Sequence, residues 1–170
     1  MEQDGLAQGL GAFYAAHKQE LFTYALSITR SSVCAEDAVH DAFRGILGRN
    51  RLPAELRPYV FRCVRNASLD LVRAVERERH KIEGYQSIFQ EEEAAPHQET
   101  VAEFLALLSA WEREIVVLKV YSGLTFKEIA GVCGSKQGTV AASYWRSLQK
   151  LREQVRAAGR AALEPGEQRP

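Results

Sequence analysis

The sequence predicts an all-α protein: a small helical bundle and a helix-turn-helix module, joined by a flexible acidic linker. Three observations carry that prediction. Apolar residues recur at three- and four-residue spacing through most of the 170 residues, and no run alternates as a half-buried strand does. Ser109-Ala-Trp-Glu112 and Thr125-Phe-Lys-Glu128 both have capping-box spacing, in which a hydroxyl takes an orphan amide and a glutamate reaches back to the cap. Charge comes in blocks, although the chain as a whole holds 22 basic and 22 acidic residues. Residues 51–81 and 109–156 each carry eight Lys/Arg against four Asp/Glu, while residues 82–108 carry six acids and no Lys or Arg. Two basic segments flank an acidic bridge, an arrangement that a net charge of zero conceals.

Leu6–Thr29 carries Leu10, Phe13, Leu21, Tyr24, Ala25 and Ile28 as one long helix, or two broken near Gly9 and Gly11. Arg30-Ser31-Ser32 is a turn, and one serine caps the helix of about Val33–Leu47. That helix sets Val39, Ala42, Phe43, Ile46 and Leu47 on one stripe and Glu36, Asp37, His40, Asp41 and Arg44 elsewhere. Pro53 and Pro58 break the chain through Gly48–Pro58. A helix then runs from about Pro58 to Arg79, with Val60, Val64, Ala67, Leu71 and Val75 inward. Arg62, Asn66, Asp70, Arg73 and Arg77 follow at helical spacing on a different face. Residues 82–100 read as a linker and Val101–Leu108 as a short apolar helix.

The most informative stretch is Ser109–Leu151. One helix runs from the Ser109 box to Val120, and Ser122-Gly123 interrupts it. A second opens at Thr125 and closes at Cys133-Gly134, where glycine takes the left-handed conformation. Ser135 starts a third, with Val140, Tyr144, Leu148 and Leu151 on one face, and the chain frays after about Arg156. Two short helices around a tight turn place the second in the DNA major groove.

Catalytic chemistry is missing. His17, His40, His80 and His97 are scattered, and none pairs with a cysteine at metal-ligand spacing. There is no phosphate-binding glycine loop and no serine elbow. Cys34, Cys63 and Cys133 lie in apolar helical patterns, which suits buried thiols in a reducing cytoplasm. No apolar run is long enough to span a bilayer, and no leader opens the chain. The expectation is a cytoplasmic binding protein with no cofactor, no metal, no small-molecule substrate and no enzymatic activity.

The strings Ala35-Glu-Asp-Ala-Val-His-Asp-Ala-Phe43 and Arg57-Pro-Tyr-Val-Phe-Arg-Cys-Val-Arg-Asn-Ala-Ser-Leu-Asp-Leu-Val-Arg73 resemble region two of bacterial sigma factors of the extracytoplasmic-function (ECF) type. Trp111-Glu-Arg-Glu-Ile-Val-Val-Leu118, Tyr121-Ser-Gly-Leu-Thr-Phe-Lys-Glu-Ile-Ala130 and Gly138-Thr-Val140 resemble region four. The resemblance implies a region-two domain at 1–81, an acidic linker at 82–100, a region-four domain at 101–157 and a disordered tail at 158–170. It implies docking of Glu36, Asp37, His40, Asp41 and Arg44 on core RNA polymerase, with His40 where the family usually has glutamine. Asn50, Arg51, Arg62, Asn66, Arg73 and Arg77 would hold the melted minus-ten strand of promoter DNA. Arg113, Lys127, Lys136, Gln137, Thr139, Ser143 and Arg146 would contact the minus-thirty-five duplex. Ala141, Ala142 and Ser143 stand where the family usually reads basic-small-basic, so two expected contacts are missing. An anti-sigma partner is also implied. The rival reading is a sigma-like interaction module that binds polymerase or an anti-sigma factor without reading promoter DNA. A dimeric helix-turn-helix regulator is the second rival, and the polymerase-docking strings speak against it.

Overall fold

Helix α1, Glu2–Thr29, runs unbroken through Gly9 and Gly11. Each glycine weakens a helix by about 1 kcal/mol relative to alanine. Burial of Leu10 between them and packing of Phe13 and Tyr14 beyond outweigh that penalty. The computed structural model describes residues 2–49, 52–81, 103 and 105–163. Arg30, at φ 57°, turns the chain in the left-handed region. Ser31 then caps α2, Ser32–Leu47, its hydroxyl accepting from the Cys34 amide at 3.3 Å. Helix α3, Leu56–Lys81, starts two residues ahead of the expected Pro58. A proline in the first helical turn loses no intrahelical bond, because those amides have no partner anyway.

These three helices bury Leu21, Tyr24 and Ala25 of α1 against Ala35, Ala38, Val39, Ala42 and Ile46 of α2 and Val60, Phe61 and Val64 of α3. The Tyr24 and Phe61 rings meet at 5.5 Å, and Tyr14 meets Phe43 edge-on at 5.1 Å. Leu47, expected inside, is half exposed, while Phe61 and Ser68 are fully buried outside the expected α3 stripe.

In the second half, the Ser109 capping box opens α4, Ala110–Val116, with both of its hydrogen bonds formed. The expected continuation to Val120 is instead a π-helical turn, Val117–Tyr121. The Ser122 amide reaches back five residues to the Val117 carbonyl at 3.1 Å, which widens the turn and changes the helical phase. The Thr125 box is also complete and opens α5, Phe126–Cys133, which Gly134 closes at φ 64°, ψ 37°. Helix α6, Gln137–Leu163, begins two residues after the expected Ser135. The Gly134 and Ser135 amides both donate to the Ala130 carbonyl, so Ser135 belongs to the closing turn of α5. The helix also continues past Arg156 to Leu163, where fraying was expected; the alanines there have high helix propensity.

Whether the halves touch was open from the sequence, and the structure packs them together. Helix α3 lies on α5, and α1 lies on α4 and the π turn. Buried residues form one core that runs from Leu10 to Val140. Among the described residues, no helix is long and apolar enough to cross a membrane.

Candidate nucleic-acid and polymerase interfaces

The outer face of α2 presents Glu36, Asp37, His40, Asp41 and Arg44, all exposed. Their inward neighbours Ala35, Ala38, Val39 and Ala42 are buried, which fixes this face outward. Arg44 pairs with Asp41 at 3.3 Å, leaving Glu36 and Asp37 as an acidic strip one turn earlier.

Helix α3 exposes Arg62, Asn66, Arg73 and Arg77. Arg73 meets Asp70 at 3.2 Å, with the two side chains 65% and 76% exposed. An ion pair that open is worth only about 0–1 kcal/mol, so it leaves Arg73 available to a phosphate. The Arg77 guanidinium donates to the Arg73 carbonyl at 3.2 Å. Beside the start of α3, Arg49, Leu52, Pro53, Ala54 and Tyr59 line a hollow of about 330 Å³. The Arg49 guanidinium sits 5.7 Å over the Tyr59 ring. Asn50 and Arg51 lie outside the described residues, as does the segment 82–100.

In the helix-turn-helix, Lys127, Lys136, Gln137, Thr139 and Arg146 are exposed. Two expected DNA contacts are not. Ser143 is 1% exposed, and its hydroxyl accepts from the Trp111 indole at 3.1 Å and from Arg146 at 3.2 Å. Together with buried Ser147 it lets α6 approach α4, a packing role that a basic residue at this position could not fill. Arg113 donates to the Leu105 and Leu108 carbonyls at 3.0 and 3.1 Å, so its guanidinium ties down the preceding turn. Burial and then the neighbouring Arg30 charge hold its pKa below the usual value. Tyr144 is half-buried against Phe126 at 5.4 Å, and Trp145 beside it is 59% exposed.

The sequence did not single out the polar cluster that joins the two halves. Glu114 of α4 accepts from the Tyr24 phenol at 2.7 Å and from Arg65 Nε at 2.6 Å. Glu114 is 7% exposed and Tyr24 not at all. Along the same seam, Arg57 donates to Glu20 at 2.9 Å and to the Ser122 carbonyl. Arg57 Nε and the Ser122 hydroxyl are buried there without a hydrogen-bond partner. Glu114 and Tyr24 stand on a short helix and an apolar stripe, and Arg57 and Arg65 lie off the row that runs from Arg62 to Arg77. Only a capping glutamate followed two residues later by another acid hints at an inward charge.

Cys133 adjoins this cluster. Burial first, then the Glu114 carboxylate, push its thiol up to about 12 from an ordinary 9.0. At neutral pH the thiolate fraction falls by roughly a thousandfold, because three pKa units separate the two values. With Cys34 and Cys63 changed to serine, Cys133 is therefore expected to react with iodoacetamide orders of magnitude more slowly than in urea. Equal rates in buffer and urea would contradict this environment.

No cluster of metal-ligating side chains occurs among the described residues. An exposed acidic strip, an arginine-bearing helix and an exposed helix-turn-helix, on a chain helical through most of its described residues, are the surfaces that a polymerase-associated transcription factor would use. Residues 13–78 match the family model for sigma-70 region 2, and residues 98–151 match that for sigma-70 region 4. The chain belongs to the sigma-70 family, as a sigma factor of the ECF type. It is 29% identical over 154 residues to ECF RNA polymerase sigma factor SigL of Mycobacterium tuberculosis, across 83% of this chain and 85% of SigL. A 57-residue match to SigD of Mycobacterium bovis is 42% identical, covering 34% of this chain and 27% of SigD, so it spans about a quarter of that relative. Among solved structures, the sigma factor RpoE of Bartonella quintana, in complex with the anti-sigma factor NepR, superposes with a TM-score of 0.68 at 22% identity. That match covers 85% of this chain and 97% of RpoE. CnrH, in complex with the cytosolic domain of CnrY, gives a TM-score of 0.65 at 24% identity over 92% and 93% of the two chains. At these identities both structures speak to the fold.

Proposed function

We propose that this sigma factor binds core RNA polymerase in the cytoplasm and directs initiation at a specific set of promoters. It does so as a binding subunit, with no chemistry of its own. The α2 face of Glu36, Asp37, His40, Asp41 and Arg44 docks on polymerase. Arg62, Asn66, Arg73 and Arg77 hold the phosphates of the melted minus-ten strand, with Asn50 and Arg51 beside them. The hollow between Arg49 and Tyr59 receives an unstacked base, which has a cation and an aromatic face to lie against. Lys127, Lys136, Gln137, Thr139 and Arg146 contact the minus-thirty-five duplex. The observation that carries this reading is the outward exposure of all three charged surfaces on one chain. An anti-sigma factor is the proposed regulatory partner, as in the solved complex of RpoE with NepR.

Run-off transcription with core polymerase and a genomic fragment library tests the reading. Discrete starts that share upstream elements are the expected result. Core binding without specific starts favours the interaction-module reading, which the buried Ser143, the engaged Arg113 and the exposed Trp145 support. Asp37→Arg with Asp41→Arg is expected to weaken capture of core polymerase at least tenfold, read by pull-down or fluorescence anisotropy. Polymerase binding at the wild-type level would remove the docking assignment. Because both residues are exposed, thermal stability should barely move.

A further inference from the structure

Arg57 and Arg65 belong to the helix proposed above to hold DNA, yet both are occupied by the other half of the chain or by α1. Arg65 faces Glu114, a carboxylate with two oxygens, at the spacing by which arginine also grips a phosphate. Arg57 faces Glu20 and the Ser122 carbonyl. In a helix, Arg65 lies one turn from Arg62, so the two side chains neighbour each other on adjoining faces. The seam that holds them sets these charged contacts beside the apolar core the halves share, and two of its polar groups are unpaired.

The closed arrangement also fails a length requirement. Promoter elements centred at minus ten and minus thirty-five are separated by roughly 25 base pairs, or about 85 Å at 3.4 Å per pair. In the structure α5 lies directly against α3, which is itself only about 39 Å long at 1.5 Å per residue. Helices in contact cannot serve both elements at once.

We propose that Glu114, with Tyr24, is an intramolecular latch that holds the two modules closed by occupying Arg65 in place of a DNA phosphate. When the modules part, Glu114 leaves with region four and Arg65 becomes a further strand-binding cation on α3. Desolvation makes such a latch easy to release: a buried ion pair gains little over its two hydrated ions, so a competing phosphate or docking surface tips the balance. This proposal rests on the strand-holding role of α3 given above, and the test separates the two.

The full chain is compared as wild type, Glu114→Gln, Arg65→Ala and the double variant, with circular dichroism confirming helicity. Small-angle X-ray scattering reads closure. A closed 170-residue chain should have a radius of gyration near 16 Å. Glu114→Gln and Arg65→Ala should both raise it by roughly half, and Cys133 should become reactive in Arg65→Ala, where the neighbouring carboxylate is kept. Binding of a fluorescein-labelled twelve-nucleotide oligo(dT) reads the freed arginine. Glu114→Gln should bind it more tightly than wild type, and adding Arg65→Ala should lower that affinity about tenfold, the loss of one charge-assisted contact. If Glu114→Gln fails to fold, Tyr24→Phe replaces it, removing one hydroxyl and keeping the ring. A folded Glu114→Gln as compact as wild type overturns the latch. An open Glu114→Gln whose oligo(dT) affinity is indifferent to Arg65 overturns the hand-over. Opening with no oligo(dT) binding by any variant upholds the latch and overturns the strand-holding role of α3.

Discussion

Replacing Phe61 with alanine should destabilise the protein by about 3–5 kcal/mol, the usual range for an aromatic side chain removed from a closed core. Phe61 is fully buried and packs on Tyr24 at 5.5 Å, so the vacated space is walled by rigid helices on both sides. Domains of this kind have a total stability of only about 5–15 kcal/mol, so the variant sits near the edge of folding at 37 °C. Urea denaturation followed by circular dichroism checks it: the midpoint should fall sharply with little change in slope. Val120→Ala supplies the contrast. Val120 is equally apolar but 64% exposed at the end of the π turn, and its loss should stay within about 0.5 kcal/mol. Similar losses for the two variants would mean that the core is not where the structure puts it.

That contrast shows what periodicity can and cannot deliver. Helix starts marked by side-chain chemistry were legible: Ser109 and Thr125 each cap as their spacing implied, and of the two serines before α2 it is Ser31 that caps. Gly134 ends α5 because the left-handed conformation there suits glycine, and the sequence announces it. Phase errors arise where the helix itself departs from 3.6 residues per turn. The π turn at Val117–Tyr121 leaves Val120 outside, although its apolar character reads as core. Small polar residues mislead in the opposite direction. Ser68, Ser143 and Ser147 are buried because close helix packing wants small side chains, and a serine in a DNA-facing stripe looks identical on paper. The seam was illegible for a further reason. Glu114 and Tyr24 are ninety residues apart, Arg65 and Glu114 forty-nine, and no local pattern joins them. The outward charged faces of α2 and α3 needed only the inward stripe to be right, and it mostly was.

The largest functional loss is expected from changing Arg62, Arg73 and Arg77 together to alanine. Each phosphate contact with a single strand contributes about 0.7 to the slope of log affinity against log salt, so three should lower that slope by about 2. At low salt the triple variant should open promoter DNA, or bind the melted strand, roughly a hundredfold less well, at about 1 kcal/mol per lost contact. Core polymerase binding should stay within about twofold, because the proposed docking face lies on α2. Damage to the fold is an alternative cause of any such loss, and salt distinguishes the two. Between 50 and 200 mM salt, wild type forfeits its three contacts' share of affinity while the variant has none to lose. The gap between them should therefore narrow by roughly twentyfold. A gap independent of salt would point to misfolding or lost base recognition instead of phosphate contact. Misfolding is itself disfavoured by the geometry: all three side chains are exposed, and Asp70, freed of Arg73, remains 76% open to water. Arg65 is left in place deliberately, so the seam to Glu114 stays intact and the variant reports on the outer face of α3 alone.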